Sequence, residues 1–83
     1  MRLDKFLKVS RIIKRRTIAK EYVDKGHVLL NDKIAKASSI VNVDDVITIS
    51  LKDKQLRYKI LNIFEYATEE KAKTMFLEIK WWT

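Results

Sequence analysis

The side chains of this chain that can do chemistry are cations, and they crowd at one end. Arg2, Lys5, Lys8, Arg11, Lys14, Arg15, Arg16 and Lys20 place eight positive charges in the first 20 residues, with Asp4 as the only acid there. That segment nets +7, while residues 21–83, with ten bases and ten acids, net zero. The surplus of the whole chain is thus one local patch. A concentrated cationic patch on a short folded domain suits a polyanionic partner, nucleic acid above all. Each phosphate it neutralises would release counterions, so binding would weaken steeply with salt.

Arg2, Lys5, Arg11, Lys14, Arg15, Arg16 and Lys20 are the candidate contacts, with Lys36 reaching in from a later loop. Arg16 stands first among them. It falls near the start of the second expected helix, where the unpaired N–H groups already favour an anion, and its guanidinium takes a phosphate through two parallel hydrogen bonds or stacks on a base. Asp4 is expected to position an arginine by a salt bridge. Phe6 and Tyr22 read as core residues, and His27 as an ordinary residue at a strand start.

Other chemistries find little support. There is no cysteine, and His27 is the only imidazole. Disulfides and thiolate catalysis are excluded, and no cofactor or metal site is expected. Ser10, Ser38 and Ser39 have no histidine base with a carboxylate nearby in sequence. The acid pairs Asp44-Asp45 and Glu69-Glu70 read as turn and helix-start residues. The chain is expected not to be an enzyme. No apolar run approaches the ~20 residues needed to span a bilayer, and the N-terminus lacks the apolar core of a signal peptide. A cytoplasmic protein without membrane attachment is the expectation.

These cations need elements to hold them. At 83 residues, with no proline and one glycine, the chain is expected to form one domain, 1–83, without a flexible linker. Leu3, Phe6 and Leu7 follow helical spacing and predict a helix over residues 3–9. A second helix is expected from about Arg15 to Lys25, with Ile18, Ala19, Tyr22 and Val23 on its buried face. Gly26 is placed to close it. The period then changes to two. Val28 and Leu30 predict a strand, Asn31-Asp32 a tight turn and Ile34 a return strand. Val46–Leu51 and Leu56–Ile63 predict two more strands, the latter with Leu56, Tyr58 and Ile60 on one side. Thr68 followed by Glu70–Lys73 predicts a capped short helix. Met75–Trp82 fits either period, and a helix fraying into an extended tail is the expectation. Trp81 and Trp82 read equally as tail residues covering the sheet or as a platform for a partner. Strands joined by short turns make an antiparallel sheet, and the class is α+β.

The run RLDKFLKVSR, then KRRTIAK, then VDKGHVLLN resembles the S-four RNA-binding domain, named after small-subunit ribosomal protein four. Leu3-Asp4-Lys5, Arg16, Ala19, Gly26-His27-Val28 and Asn31 occupy its motif positions, and Lys36, Ser38 and Val43–Ile49 match its weaker second half. The resemblance spans at least residues 2–50 and implies the αL motif, two helices packed on a small antiparallel sheet. Within the family the opening stretch is similar to the stand-alone RqcP and heat-shock-fifteen subgroup. That likeness implies binding of large-subunit (50S) rRNA and peptidyl-tRNA on an obstructed ribosome, in support of RqcH, which adds C-terminal alanine tails. Away from the ribosome a monomer is expected.

Two positions depart from the family pattern. Asn31-Asp32 stands where Asn-Gly is common, and Asp44-Asp45 where Gly-Asp is common. Both glycine sites are expected to require positive φ. Arg15 also stands where many members have a helix-capping Ser or Thr. The rival readings are a DNA-binding helix-turn-helix and a membrane-surface protein. The charge lies on the first helix and the turn, beyond the second helix alone, which disfavours the first rival. Interfacial helices carry a wider apolar face, which disfavours the second.

Overall fold

A computed structural model describes residues 1–51 and 53–79 of the chain. The elements run α1 (Leu3–Val9), α2 (Arg16–Asp24), β1 (Val28–Leu30), β2 (Lys33–Ile34), β3 (Val46–Ser50), β4 (Gln55–Ile60), α3 (Glu69–Lys73) and β5 (Phe76–Ile79). The strands form one sheet in the order β2-β1-β3-β4-β5, and every neighbouring pair is antiparallel. The α+β class and the two-helices-on-a-sheet arrangement are as the sequence implies.

Strand register sorts the side chains. Directly opposed residues of an antiparallel pair point to the same face. Val28 opposes Ile49, Leu30 opposes Ile47, Ile47 opposes Tyr58, Ile49 opposes Leu56 and Ile60 opposes Phe76. That apolar face receives Leu3, Phe6 and Leu7 of α1 and Ala19 and Val23 of α2, and together they make the core. Leu29, Thr48, Arg57 and Lys59 fall on the opposite face.

α2 ends as its sequence demands. Gly26 has φ 78°, its N–H donates to Val23 O at 2.9 Å, and the His27 N–H donates to Tyr22 O at 3.0 Å. This is the Schellman closure, which satisfies carbonyls the last turn leaves open. The usual side-chain contact accompanies it, with the Tyr22 and His27 rings 5.7 Å apart. At the other end Arg15 makes no side-chain cap, as expected. The helix therefore begins with uncapped N–H groups.

The β1–β2 turn has Asn31 at φ 52° and Asp32 at φ 67°, the left-handed pair of a type I′ hairpin. Asn31 is tied further: its side chain accepts from Val46 N at 2.9 Å and donates to Asp45 at 3.1 Å. Asp44 sits at φ 76°. Both departures from glycine therefore carry positive φ. Glycine is the residue without a Cβ penalty there, and among the described residues the Asp44 carboxylate is held only by an exposed Lys59 contact at 3.6 Å. Asp44→Gly is accordingly expected to raise the unfolding free energy by about 0.5–1 kcal/mol. Urea titration reads the change, and a loss of stability would show that the Asp44 side chain matters more than its backbone.

Three expectations fail. Ile18, expected on the buried face of α2, is 42% exposed, and only Ala19 and Val23 of that helix are fully buried. β4 stops at Ile60 instead of reaching Ile63, because the N–H groups of Leu61 (2.8 Å) and Asn62 (3.3 Å) both donate to Met75 O. Two donors on one acceptor break the ladder. The helix expected over Met75–Trp82 is instead strand β5 through Ile79, paired with β4 from Ile60↔Phe76 to Arg57↔Ile79. Both periods fitted the side chains, and the open edge of β4 decided between them by offering backbone partners. Lys80–Thr83 lie outside the described residues, so the alternatives for Trp81 and Trp82 are not addressed. Helix α3 is short, with Lys71 N donating to the Thr68 hydroxyl at 3.2 Å as the expected cap.

Candidate nucleic-acid interface

Asp4 organises one end of the cationic region. It lies in the first turn of α1, and only 3% of it is exposed. Its carboxylate accepts from Lys5 N at 2.8 Å and meets Arg2 Nε at 3.3 Å. Arg16 approaches the same group through Nε at 3.3 Å and a terminal nitrogen at 3.5 Å. One buried carboxylate thus holds two arginines from different elements. About half of each arginine side chain stays exposed, 49% for Arg2 and 46% for Arg16. Their remaining N–H donors are available to a ligand, and their rotamer freedom is already spent.

The backbone makes this arrangement rigid. Leu3 N donates to Ser39 O at 2.7 Å and Asp4 N to Ala37 O at 3.2 Å, and Arg2 bridges Ile40. The 35–41 loop thereby clamps the start of α1, with Ala35, Ala37 and Val41 buried beneath it. Lys36 is exposed on that loop, next to the Ala37 carbonyl that receives the Asp4 N–H. Those bonds bring the backbone around Lys36 to the start of α1.

The second group lies on the turn after α1. Ser10 caps the helix with its hydroxyl on Leu7 O at 3.3 Å. Arg11 follows at φ 63°, in the left-handed position that glycine usually takes after a helix. Its N–H closes onto Lys8 O at 3.0 Å. Lys8, Arg11 and Lys14 line one cleft together with Tyr66 and Ala67. On the other side Arg11 and Lys14 border a second cleft with Glu69 and Lys73.

The candidate residues are not equivalent. Lys5 is half-buried and ion-paired with Glu65, and its Nζ lies 5.6 Å from the centre of the Tyr66 ring. Hydrogen bonding and charge from Lys5 hold the Glu65 carboxyl below its ordinary pKa. The charge of Lys5 is therefore largely offset by an acid of the later half. Arg11, Lys14, Arg15 and Lys20 are exposed and make no ion pair among the described residues. Arg15 precedes α2, and Lys20 lies one turn beyond Arg16 on it.

Two residues of this surface escape the sequence reading. Lys8 joins Arg11 and Lys14 in the cleft, and its signal was present: Arg2, Lys5, Lys8, Arg11 and Lys14 recur every third residue. Tyr66 had no such signal, since it lies 52 positions from Lys14 and comes to the cleft only through the loop before α3. Phe6 is fully buried and Tyr22 half-buried against the core, as expected.

An acid-anchored arginine pair thus stands at the start of two helices packed over an antiparallel sheet. The S4 domain family model matches residues 1–47. The chain is 45% identical to the RQC P-site tRNA stabilizing factor of Halalkalibacterium halodurans over 96% of its own length and 90% of that protein. It is 47% identical to the protein of that name from Streptococcus pneumoniae, covering 92% of this chain and 86% of the relative. Its structure resembles the trimeric structure of Vibrio cholerae Heat Shock Protein 15 with a TM-score of 0.86 at 29% identity, over 95% of this chain and 81% of that one. The chain belongs to the S4 domain family of RNA-binding proteins.

Proposed function

We propose that this protein is a non-enzymatic, cytoplasmic RNA-binding module of ribosome-associated quality control. It holds large-subunit rRNA and peptidyl-tRNA on the obstructed large subunit and supports RqcH-driven alanine tailing. It acts as one S4-type domain and is monomeric off the ribosome. The names of the relatives support the setting, and no helix among the described residues is long and apolar enough to cross a membrane. The observation that carries the reading is Asp4: a buried carboxylate presenting Arg2 and Arg16, beside Arg11, Lys14, Arg15, Lys20 and Lys36, with Lys5 buttressing the loop.

Structured RNA is read largely by shape and backbone, and a fixed set of guanidinium and ammonium groups meets that need. Arg16 supplies a fork already oriented by Asp4, at the uncapped start of α2 where backbone N–H groups favour phosphate. Arg16→Ala is expected to weaken RNA binding by about 1–3 kcal/mol and to lower the salt slope by roughly one. Arg16→Lys should keep the slope and lose affinity, because an ammonium cannot form the paired contact. Co-sedimentation with large subunits, with and without peptidyl-tRNA and with duplex DNA as competitor, tests the whole reading. Equal displacement by duplex DNA and by structured RNA would overturn it.

A further inference from the structure

We propose that Tyr66 is a stacking platform for an unpaired nucleobase, and that Lys8, Arg11 and Lys14 hold the phosphate beside that base. The inference deepens the RNA-binding reading and rests on it.

Tyr66 is 86% exposed, the most open of the large hydrophobic side chains described. Its neighbours behave differently: Ile63, Phe64 and Ala67 pack against the core. The loop is thus anchored on both sides of a ring that is itself left in water. Its position is set from α1, since Lys5 pairs with Glu65 and places its ammonium 5.6 Å from the ring centre. With so much of the ring exposed, the face away from Lys5 is open.

The ring shares its cleft, of about 250 Å³, with three cations and no acid. A nucleotide needs both parts: a π-face for the base and cations for the phosphate. The cleft across Arg11 and Lys14 also has three cations, but it includes Glu69 and its ring, Phe76, is half-buried, so the acid-free cleft with the exposed Tyr66 ring is the favoured one. Unpaired bases stacked on aromatic rings are a common mode of single-stranded RNA recognition.

The test compares a stem-loop RNA carrying 2-aminopurine in its loop with a fully paired duplex of the same stem. Tyr66→Ala should lower affinity for the stem-loop by about 5- to 100-fold and abolish the quenching of 2-aminopurine. It should leave duplex affinity and the salt slope as they were, since no charge is removed. Tyr66→Phe should retain both stem-loop affinity and quenching. Circular dichroism checks that the exposed substitution leaves the fold intact. The proposal is overturned if Tyr66→Ala binds the stem-loop as the parent does, or if it loses affinity equally for both RNAs. A parent protein that binds neither RNA in a salt-dependent way would overturn the RNA reading itself, which is a separate result.

Discussion

Replacing Arg11, Lys14 and Arg15 together by glutamine is expected to lower affinity for structured RNA by about 100- to 1,000-fold near physiological salt. The slope of log K against log salt should flatten by roughly two to three units. The reasoning is additive electrostatics. Each cation that meets a phosphate contributes about 1 kcal/mol or somewhat more, and each releases close to one counterion. These three side chains are exposed and make no ion pair among the described residues. Their loss therefore removes charge from the ligand surface and little from the fold. Lys33 and Lys54 are exposed cations outside the first 20 residues, so Lys33→Gln with Lys54→Gln serves as control and should leave the slope unchanged. If the control and the triple variant shift the slope equally, RNA is responding to net charge and not to this surface. Asp4 makes the contrast sharper. Arg2 and Arg16 are spared in the triple variant, so any shape-dependent discrimination that they provide should survive at low salt.

The second large effect concerns the platform beneath those cations. Phe6→Ala is expected to cost about 3–5 kcal/mol. Phe6 is fully buried among Leu3, Leu7 and the inner face of the sheet. A chain of this length has only about 4–12 kcal/mol of stability in total, so a large share of the margin goes. The urea midpoint should fall by about 2 M or more, with much of the variant unfolded at 37 °C. A midpoint shift of a few tenths molar would show that α1 does not depend on this ring for its seat on the sheet. The consequence for function is direct. Asp4 and Lys5 sit on the same two turns as Phe6, so a helix that detaches releases both the arginine pair and the tether of the Tyr66 loop.

Much of this protein was legible as sequence because its signals are local. Leu3, Phe6 and Leu7 mark α1 by spacing alone, and Gly26 marks the end of α2 because a left-handed closure needs a residue without Cβ. Asn31-Asp32 marked a tight turn, and the departures from Asn-Gly and Gly-Asp pointed to the positive φ that Asp32 and Asp44 adopt. The cationic patch was legible because charge is counted without knowing the fold. Asp4 as a partner of arginine was also legible, being the lone acid among eight bases.

Other features depended on distance in sequence. Met75–Ile79 carried both periods, and the backbone edge of β4 settled the matter in favour of a strand, a choice that no local pattern contains. That Lys5 is engaged by Glu65, 60 residues away, came from loop placement. So did the meeting of Tyr66 with Lys8, Arg11 and Lys14. The sequence by itself determined which residues could bind a polyanion, and that they sit on two helices ahead of a sheet. Tertiary structure decided which of them stay free, which are held by Asp4, and which aromatic ring joins them. The physical reason is that helices and turns answer to neighbours a few residues away, whereas ion pairs and clefts form between segments that only the closed chain brings within a few ångströms.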